Sequence, residues 1–446
     1  MLPLPTHKKR MNKSILKLAI PNIISNITVP LLGLIDLALM GHLGSEVYIG
    51  AISLGSVIFN IIYWGFGFLR MSTSGFTAQA FGEKKPAEAI TILVRALILT
   101  FIISVFILLL QSPIAWGSFK VIGGSPEVEK LAEAYFRIRV WAAPAALSLF
   151  VFSGWFLGMQ NARYPMIIAI LVNIVNIVLS AFFVFGLDMK SDGVALGTAI
   201  SQYVGLVTAV ILLMKKYRGM LPKVTKAGII DLKFLSSFFK VNSDIFIRTF
   251  CIIVVFTFFT SKSASINDTV LAVNSILLQF LMFFSFFIDG FAFAGEALVG
   301  KFIGAKQIEN LKKVVKLLLC WGLGLALTFT LLYLTGTNFI LKLLTSQQDV
   351  IQTAQQFLIW VVLIPIASVG SFIWDGIYIG ATASRAMRNS LLVSTFLIFA
   401  PVYYFLNPIW NNHALWMGML LFMFSRGVIL SLMYKKRILK PISGKV

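Results

Sequence analysis

Hydrophobic residues come in twelve blocks along this chain, separated by short polar gaps. Apolar runs long enough for a helix to cross a bilayer, about 20 residues, fall at 14–41, 47–80, 90–116, 130–160, 164–187, 193–215, 233–261, 268–300, 311–338, 349–381, 386–408 and 413–434. The pattern predicts an all-α membrane protein with twelve transmembrane helices. The gaps alternate in charge. Lys8, Lys9, Arg10, Lys13 and Lys17 open the chain, and the next gap, "GHLGSE", has no Lys or Arg. "GEKKPAE", "MKKYRGMLPKVTKAG", "GKFIGAKQIENLKK", "SRAMR" and "YKKRILK" are basic, and the gaps between them are poor in Lys and Arg. Basic gaps mark the cytoplasmic side, so both termini are expected there, in a bacterial-type inner membrane.

Composition agrees. The 446 residues are 58% hydrophobic and 12% charged, with mean hydropathy +0.90, where a soluble domain is about a quarter charged. A net charge of +21 invites a nucleic-acid partner. The basic residues sit in the gaps between spans, so none is expected. Cys251 and Cys320 both lie inside apolar runs and imply neither a disulfide framework nor a metal site. The basic N-terminus precedes a run too long for a signal peptide, so it reads as a retained first span.

The two halves repeat at an offset of 222 residues. "GFLRMSTSGFTAQAFGEKK" aligns with "GFAFAGEALVGKFIGAKQ", placing Gly82 on Gly304, and "GWFLGMQNAR" aligns with "GIYIGATASR", placing Gly154, Gly158 and Arg163 on Gly376, Gly380 and Arg385. Six spans per copy give both copies the same orientation, related by a pseudo-two-fold axis along the membrane normal. The expected domains are a first lobe at 1–214, a cytoplasmic linker at 215–233 and a second lobe at 234–446. Two equal bundles with a cleft between them suit alternating access.

Ionisable residues inside spans are functional candidates. Asp36 stands alone in the apolar run "VPLLGLIDLALMGHLG", roughly 8 Å below the outer surface at 1.5 Å per residue. Asn173, Asn176 and Ser180 share one face of the fifth span, and Thr198 and Gln202 fall at similar depth in the sixth. A desolvated carboxylate beside such groups has a raised proton affinity and can bind H⁺ near neutral pH; the same oxygens suit a hard cation, and pure helix packing is the alternative. The repeat places Phe258 opposite Asp36, so the fold does not require the acid. Pro21 and Pro30 permit bending of the same helix. Asp289 and Glu296 share a face of the eighth span, and Arg70 lies at similar depth in the second. They suggest an inner gate, with a pair inside one lobe as the alternative. Asp375 replaces Ser153 of the first copy and is expected either to bond Arg385 or Arg388 near the inner surface in a structural role or to serve a cation. Asp244 and Arg248 suggest a local i, i+4 salt bridge.

The segments "LAIPNIISNITVPLLGLIDLALMGHLG", "GFLRMSTSGFTAQAFGEKK", "DGFAFAGEALVGKFIGAK" and "WDGIYIGATASRAMRNS" resemble the multidrug and toxic compound extrusion (MATE) transporters, within them the DinF-type branch. The resemblance covers both halves. It implies a V-shaped pair of six-helix lobes, needing no cofactor, that exports amphipathic and often cationic compounds against inward H⁺ or Na⁺ flow. The family's first-lobe ion site maps onto Asp36, Asn176 and Thr198, with Ser180 in place of a second Asp. The family motif also carries an Asp at the Asp375 position. One carboxylate suits H⁺ better than Na⁺. The expected partners are small-molecule substrates and membrane lipid, and the expected state is a monomer. No catalytic constellation or GxxxxGK[ST] phosphate loop occurs, and His7, His42 and His413 lie at the terminus or in outer gaps, so no enzyme is expected. The alternative is a flippase for a lipid-linked precursor, which calls for a large cationic cavity.

Overall fold

The structure, a computed structural model, describes residues 7–41, 46–223 and 231–443. These residues form helices and connecting turns, with no β-strand among them. In hydrocarbon each backbone N–H and C=O must bond within its own segment, and the apolar blocks answer with helices. In the unit Ile24–Leu235 these are α2 (Val47–Gly82), α3 (Pro86–Leu109), α4 (Pro126–Gly158), α5 (Arg163–Gly186) and α6 (Lys190–Leu221). The second unit, Ser236–Val446 with Met1–Ile23, holds α7 (Ser236–Ile266), α8 (Asp268–Gly304), α9 (Ile308–Leu344), α10 (Leu358–Gly380), α11 (Ser384–Trp410) and α12 (Asn412–Ile442). The first span is the helix α1 (His7–Gly41). That makes twelve helices long and apolar enough to cross a membrane among the described residues.

α1 is divided between the units at Ile23. Its first half packs in the second unit, where the Gly290 Cα faces the Ala19 carbonyl and the Ile23 side chain. Sequence order placed all of α1 in the first lobe, but unit membership follows side-chain packing rather than helix continuity. Of the linker, Arg218–Lys223 is a 3-10 helix, and residues 224–230 lie outside the described residues, as does His42.

The repeat is visible in the packing inside each unit. A Cβ on Gly154 would stand 2.2 Å from the Arg70 carbonyl oxygen; one on Gly376 would stand 2.1 Å from that of Ala292. Both partners keep the 222 offset. Gly158 against Ser74 and Gly380 against Glu296 repeat the relation one turn on. These glycines let α4 lie directly on α2, and α10 on α8, backbone to backbone. The ends of α2 and α8 also match. Lys84 and Lys306 adopt left-handed φ values of 58° and 54°. Lys85 N–H donates to Ala80 O at 3.0 Å and Gln307 N–H to Phe302 O at 2.9 Å, the Schellman closure that satisfies a terminal carbonyl. The copies differ in the middle of the helix: α2 is interrupted by a turn between Glu46–Gly65 and Phe68–Gly82, while α8 runs unbroken from Asp268 to Gly304.

Gly376→Ala is therefore expected to destabilise by about 1–3 kcal/mol, the usual cost of overpacking, because backbone, not a flexible side chain, blocks the new methyl. Gly324→Ala meets nothing within 4 Å and should gain up to about 1 kcal/mol of helix propensity. Thermal unfolding of the two variants in detergent checks the contrast.

Candidate ion-coupling site

In the first unit, α5 and α6 build one buried polar cluster. The spacing of Asn173, Asn176 and Ser180 puts them on a single helix face, and Asn176 and Ser180 are fully buried. Asn176 Nδ2 donates to Thr198 Oγ1 at 2.9 Å, and Ser180 Oγ donates to Asn176 Oδ1 at 3.4 Å. Thr198 in turn donates to the Val194 carbonyl at 2.8 Å, so each hydroxyl has a partner, as buried polar groups require. Close approach of the two helices depends on Gly197, where a Cβ would stand 2.6 Å from Ser180 Oγ. Gln202 is half-buried one turn beyond Thr198 on α6.

Asn173, one turn before Asn176 on α5, bonds α1 instead. Its Nδ2 donates to the Thr28 carbonyl at 3.1 Å, two residues before Pro30. Pro30 has no N–H for the Asn26 carbonyl, and Pro21 none for that of Lys17, so the α1 ladder lacks a bond at two levels. Asp36 belongs to the same helix; its side chain lies outside the described residues.

The same unit holds a cation that the sequence reading passed over. Arg139, half-buried in α4, donates to Tyr135 Oη at 2.6 Å and Ser56 Oγ at 3.3 Å. It stands 4.7 Å from the Phe59 ring centroid and 5.5 Å from that of Tyr135, positions that favour cation–π attraction. No carboxylate pairs with it among the described residues. The signal was present: Tyr135 and Arg139 are i, i+4 inside an apolar block.

The second unit carries a different polar device. Asp375 on α10 is buried, and one of its oxygens accepts from Arg426 Nη2 at 2.6 Å and also from Arg248. Asp244 accepts from Arg388 Nη1 at 2.5 Å and from Ser384 Oγ at 2.9 Å. Two expectations are corrected here. Asp244 and Arg248 do not pair along their own helix, and Asp375 bonds neither Arg385 nor Arg388. Both residues of α7 are buried, and each faces a different neighbouring helix, so helix-to-helix partners replace the local one. A proton or cation entering at Asp375 would have to displace two guanidinium groups. Arg70 lies half-buried near the start of Phe68–Gly82, Asp289 half-buried and Glu296 fully buried on α8.

Counted at the offset of 222, the two devices do not overlap. Asn176, Ser180 and Thr198 correspond to Ile398, Val402 and Leu420, while Arg248, Asp375 and Arg426 correspond to Asn26, Ser153 and Val204. Phe258, the counterpart of Asp36, packs edge-on against Phe399 at 5.6 Å and Tyr403 at 5.1 Å. Phe258 thus meets aromatic rings, while the buried polar groups of the second unit gather elsewhere, at Asp375 and at Asn274, which bonds Ser263, Asn412 and Trp416.

Twelve apolar helices in two repeats whose buried polar groups differ describe an integral membrane protein, and the family it matches makes it a transporter rather than an enzyme. The MatE family model matches residues 21–182 and 245–405, one stretch in each repeat, and the chain belongs to that family. It is 37% identical to DNA damage-inducible protein F of Escherichia coli, over 95% of this chain and 92% of that one. It is 22% identical to the probable multidrug resistance protein NorM of Bacillus cereus, over 92% of each chain. In fold it matches the Vibrio cholerae MATE transporter VcmN in the bent form with a TM-score of 0.85, at 18% identity, covering 98% of this chain and 99% of that one.

Proposed function

We propose that this chain is an exporter of amphipathic organic molecules, neutral or cationic, driven by inward H⁺ flow, with Asp36 carrying the proton. The observation that carries the reading is the buried Asn176–Ser180–Thr198 cluster, confined to the repeat that also supplies the membrane acid. Kinship with proteins named for multidrug resistance supports the substrate class.

The choice of H⁺ over Na⁺ rests on donor chemistry. Sodium favours several oxygens carrying negative or strong partial charge. The oxygens here already accept hydrogen bonds, Asn176 Oδ1 from Ser180 and Thr198 Oγ1 from Asn176, and none of the three side chains carries a charge. A single carboxylate in a desolvated place instead gains affinity for a proton. The basic gaps support cytoplasmic termini, and the single chain is proposed to work as a monomer.

The test is efflux of a fluorescent cationic dye in everted vesicles, with a pH gradient and a Na⁺ gradient imposed separately. The pH gradient alone should drive dye movement, and the Na⁺ gradient alone should leave it at the level of vesicles lacking the protein. The reverse pattern would assign Na⁺ as the coupling ion.

A further inference from the structure

Between α9, α10 and α12 the second unit has an open groove of about 410 Å³. Val315, Leu319 and Leu323 line it from α9, and Trp374 from α10. Lys312, Lys316, Cys320 and Leu323 follow one another at helical spacings of four, four and three, so one face of α9 turns from basic to apolar. The basic end of α9 adjoins a cytoplasmic-type gap. Residues 308–316 and 435–437 together hold six basic side chains and one acid, Glu309. Lys312 touches Glu309 at 2.9 Å in a solvent-exposed pair, and such pairs are worth little. Lys316 has no acidic partner among the described residues.

The groove also has an unmet donor. Tyr434 of α12 packs against Trp374 with ring centroids 5.1 Å apart, and its hydroxyl is buried with no hydrogen-bond partner. A buried hydroxyl left unpaired is costly, and an oxygen of a bound headgroup would satisfy it.

We propose that this groove seats one anionic phospholipid of the cytoplasmic leaflet. Its phosphate lies against Lys312 and Lys316, its polar neck accepts a hydrogen bond from Tyr434, and an acyl chain follows Leu319 and Leu323. Shape selects an acyl chain, and the excess of six basic residues over one acid selects negative charge. A zwitterionic lipid brings an ammonium group into the same field and gains less.

The full-length protein in detergent, offered equal phosphatidylglycerol and phosphatidylcholine, is read by native mass spectrometry. Phosphatidylglycerol should be retained preferentially. The Lys312→Gln/Lys316→Gln variant should lose roughly thirtyfold in its retention, about fivefold for each lysine at a charged lipid surface. A Lys8→Gln/Lys9→Gln variant, altered at basic positions outside the groove, should keep wild-type selectivity. Cys320 is exposed in the groove and supplies a second readout. In a Cys251→Ser background, phosphatidylglycerol should slow its labelling by a maleimide in the wild-type groove and not in the double-lysine variant. Equal protection by phosphatidylcholine, equal loss in the Lys8/Lys9 variant, or full protection by free glycerol phosphate would each overturn the lipid seat. None of these outcomes bears on coupling at Asp36.

Discussion

Asp36→Asn should reduce pH-driven efflux to the leak of vesicles that lack the protein, while the purified variant folds and melts like wild type. Asparagine keeps the size and hydrogen-bonding reach of the side chain but has no proton to exchange in the physiological range. Loss of drive without loss of fold separates a coupling acid from a packing acid. A purely structural Asp would show the opposite signature, with lower stability and surviving efflux. The repeat makes the variant's folding expected, because Phe258 occupies the corresponding position of the second unit. The Asn173 contact to the Thr28 carbonyl ties α5, the helix that carries Asn176 and Ser180, to α1 beside Pro30, at a level where the helix lacks a backbone bond. Under the proposed reading, proton binding at Asp36 acts on a helix already weakened there.

Asp375→Ala should have the largest effect on stability, about 3–5 kcal/mol, the usual cost of removing one partner from a buried ion cluster. Two guanidinium groups, those of Arg248 and Arg426, converge on one carboxylate oxygen. Without it, two cations remain buried in an apolar bundle with no carboxylate in contact, and Asp289 acts on Arg426 only through space. The cluster is under stress even when intact, since Asp375 Oδ1 and the Nε groups of Arg248 and Arg426 are buried without partners. Replacing all three residues together, Arg248→Met, Asp375→Leu and Arg426→Met, should therefore be far milder than Asp375→Ala alone, because apolar residues of similar volume often match a buried ion cluster. Thermal unfolding of the purified proteins in detergent decides the order. Asp375→Ala melting like wild type would remove the cluster from the account of what holds the second unit together.

Much of the fold was legible in the order of residue types. Bilayer thickness sets a length for each apolar block, and alternation of basic gaps leaves little freedom in their number. The repeat was readable because backbone contact tolerates only glycine: Gly154 and Gly376 kept their places when most side chains around them had changed. The polar cluster was partly legible as well, since Asn173, Asn176 and Ser180 are spaced to share a face. Ion pairing was not. Local spacing favoured Asp244 with Arg248, yet Arg248 meets an acid 127 residues away and Asp244 a base 144 residues away. A buried charge takes whichever partner the helix packing brings to it, and sequence distance carries no information about that. Arg139 escaped notice for a related reason. Its partners are hydroxyls and aromatic faces, which look like ordinary core residues along the chain. The division of α1 at Ile23 was hidden because hydropathy is continuous across it.

The most direct test is proton release on substrate binding. Purified protein in weakly buffered detergent solution near neutral pH is mixed with a saturating cationic dye, and the pH change is followed. Antiport through a shared acid predicts release of about one proton per chain by wild type and none by Asp36→Asn at matched dye occupancy. Unchanged proton release by Asp36→Asn would contradict the assignment of Asp36 as the coupling group.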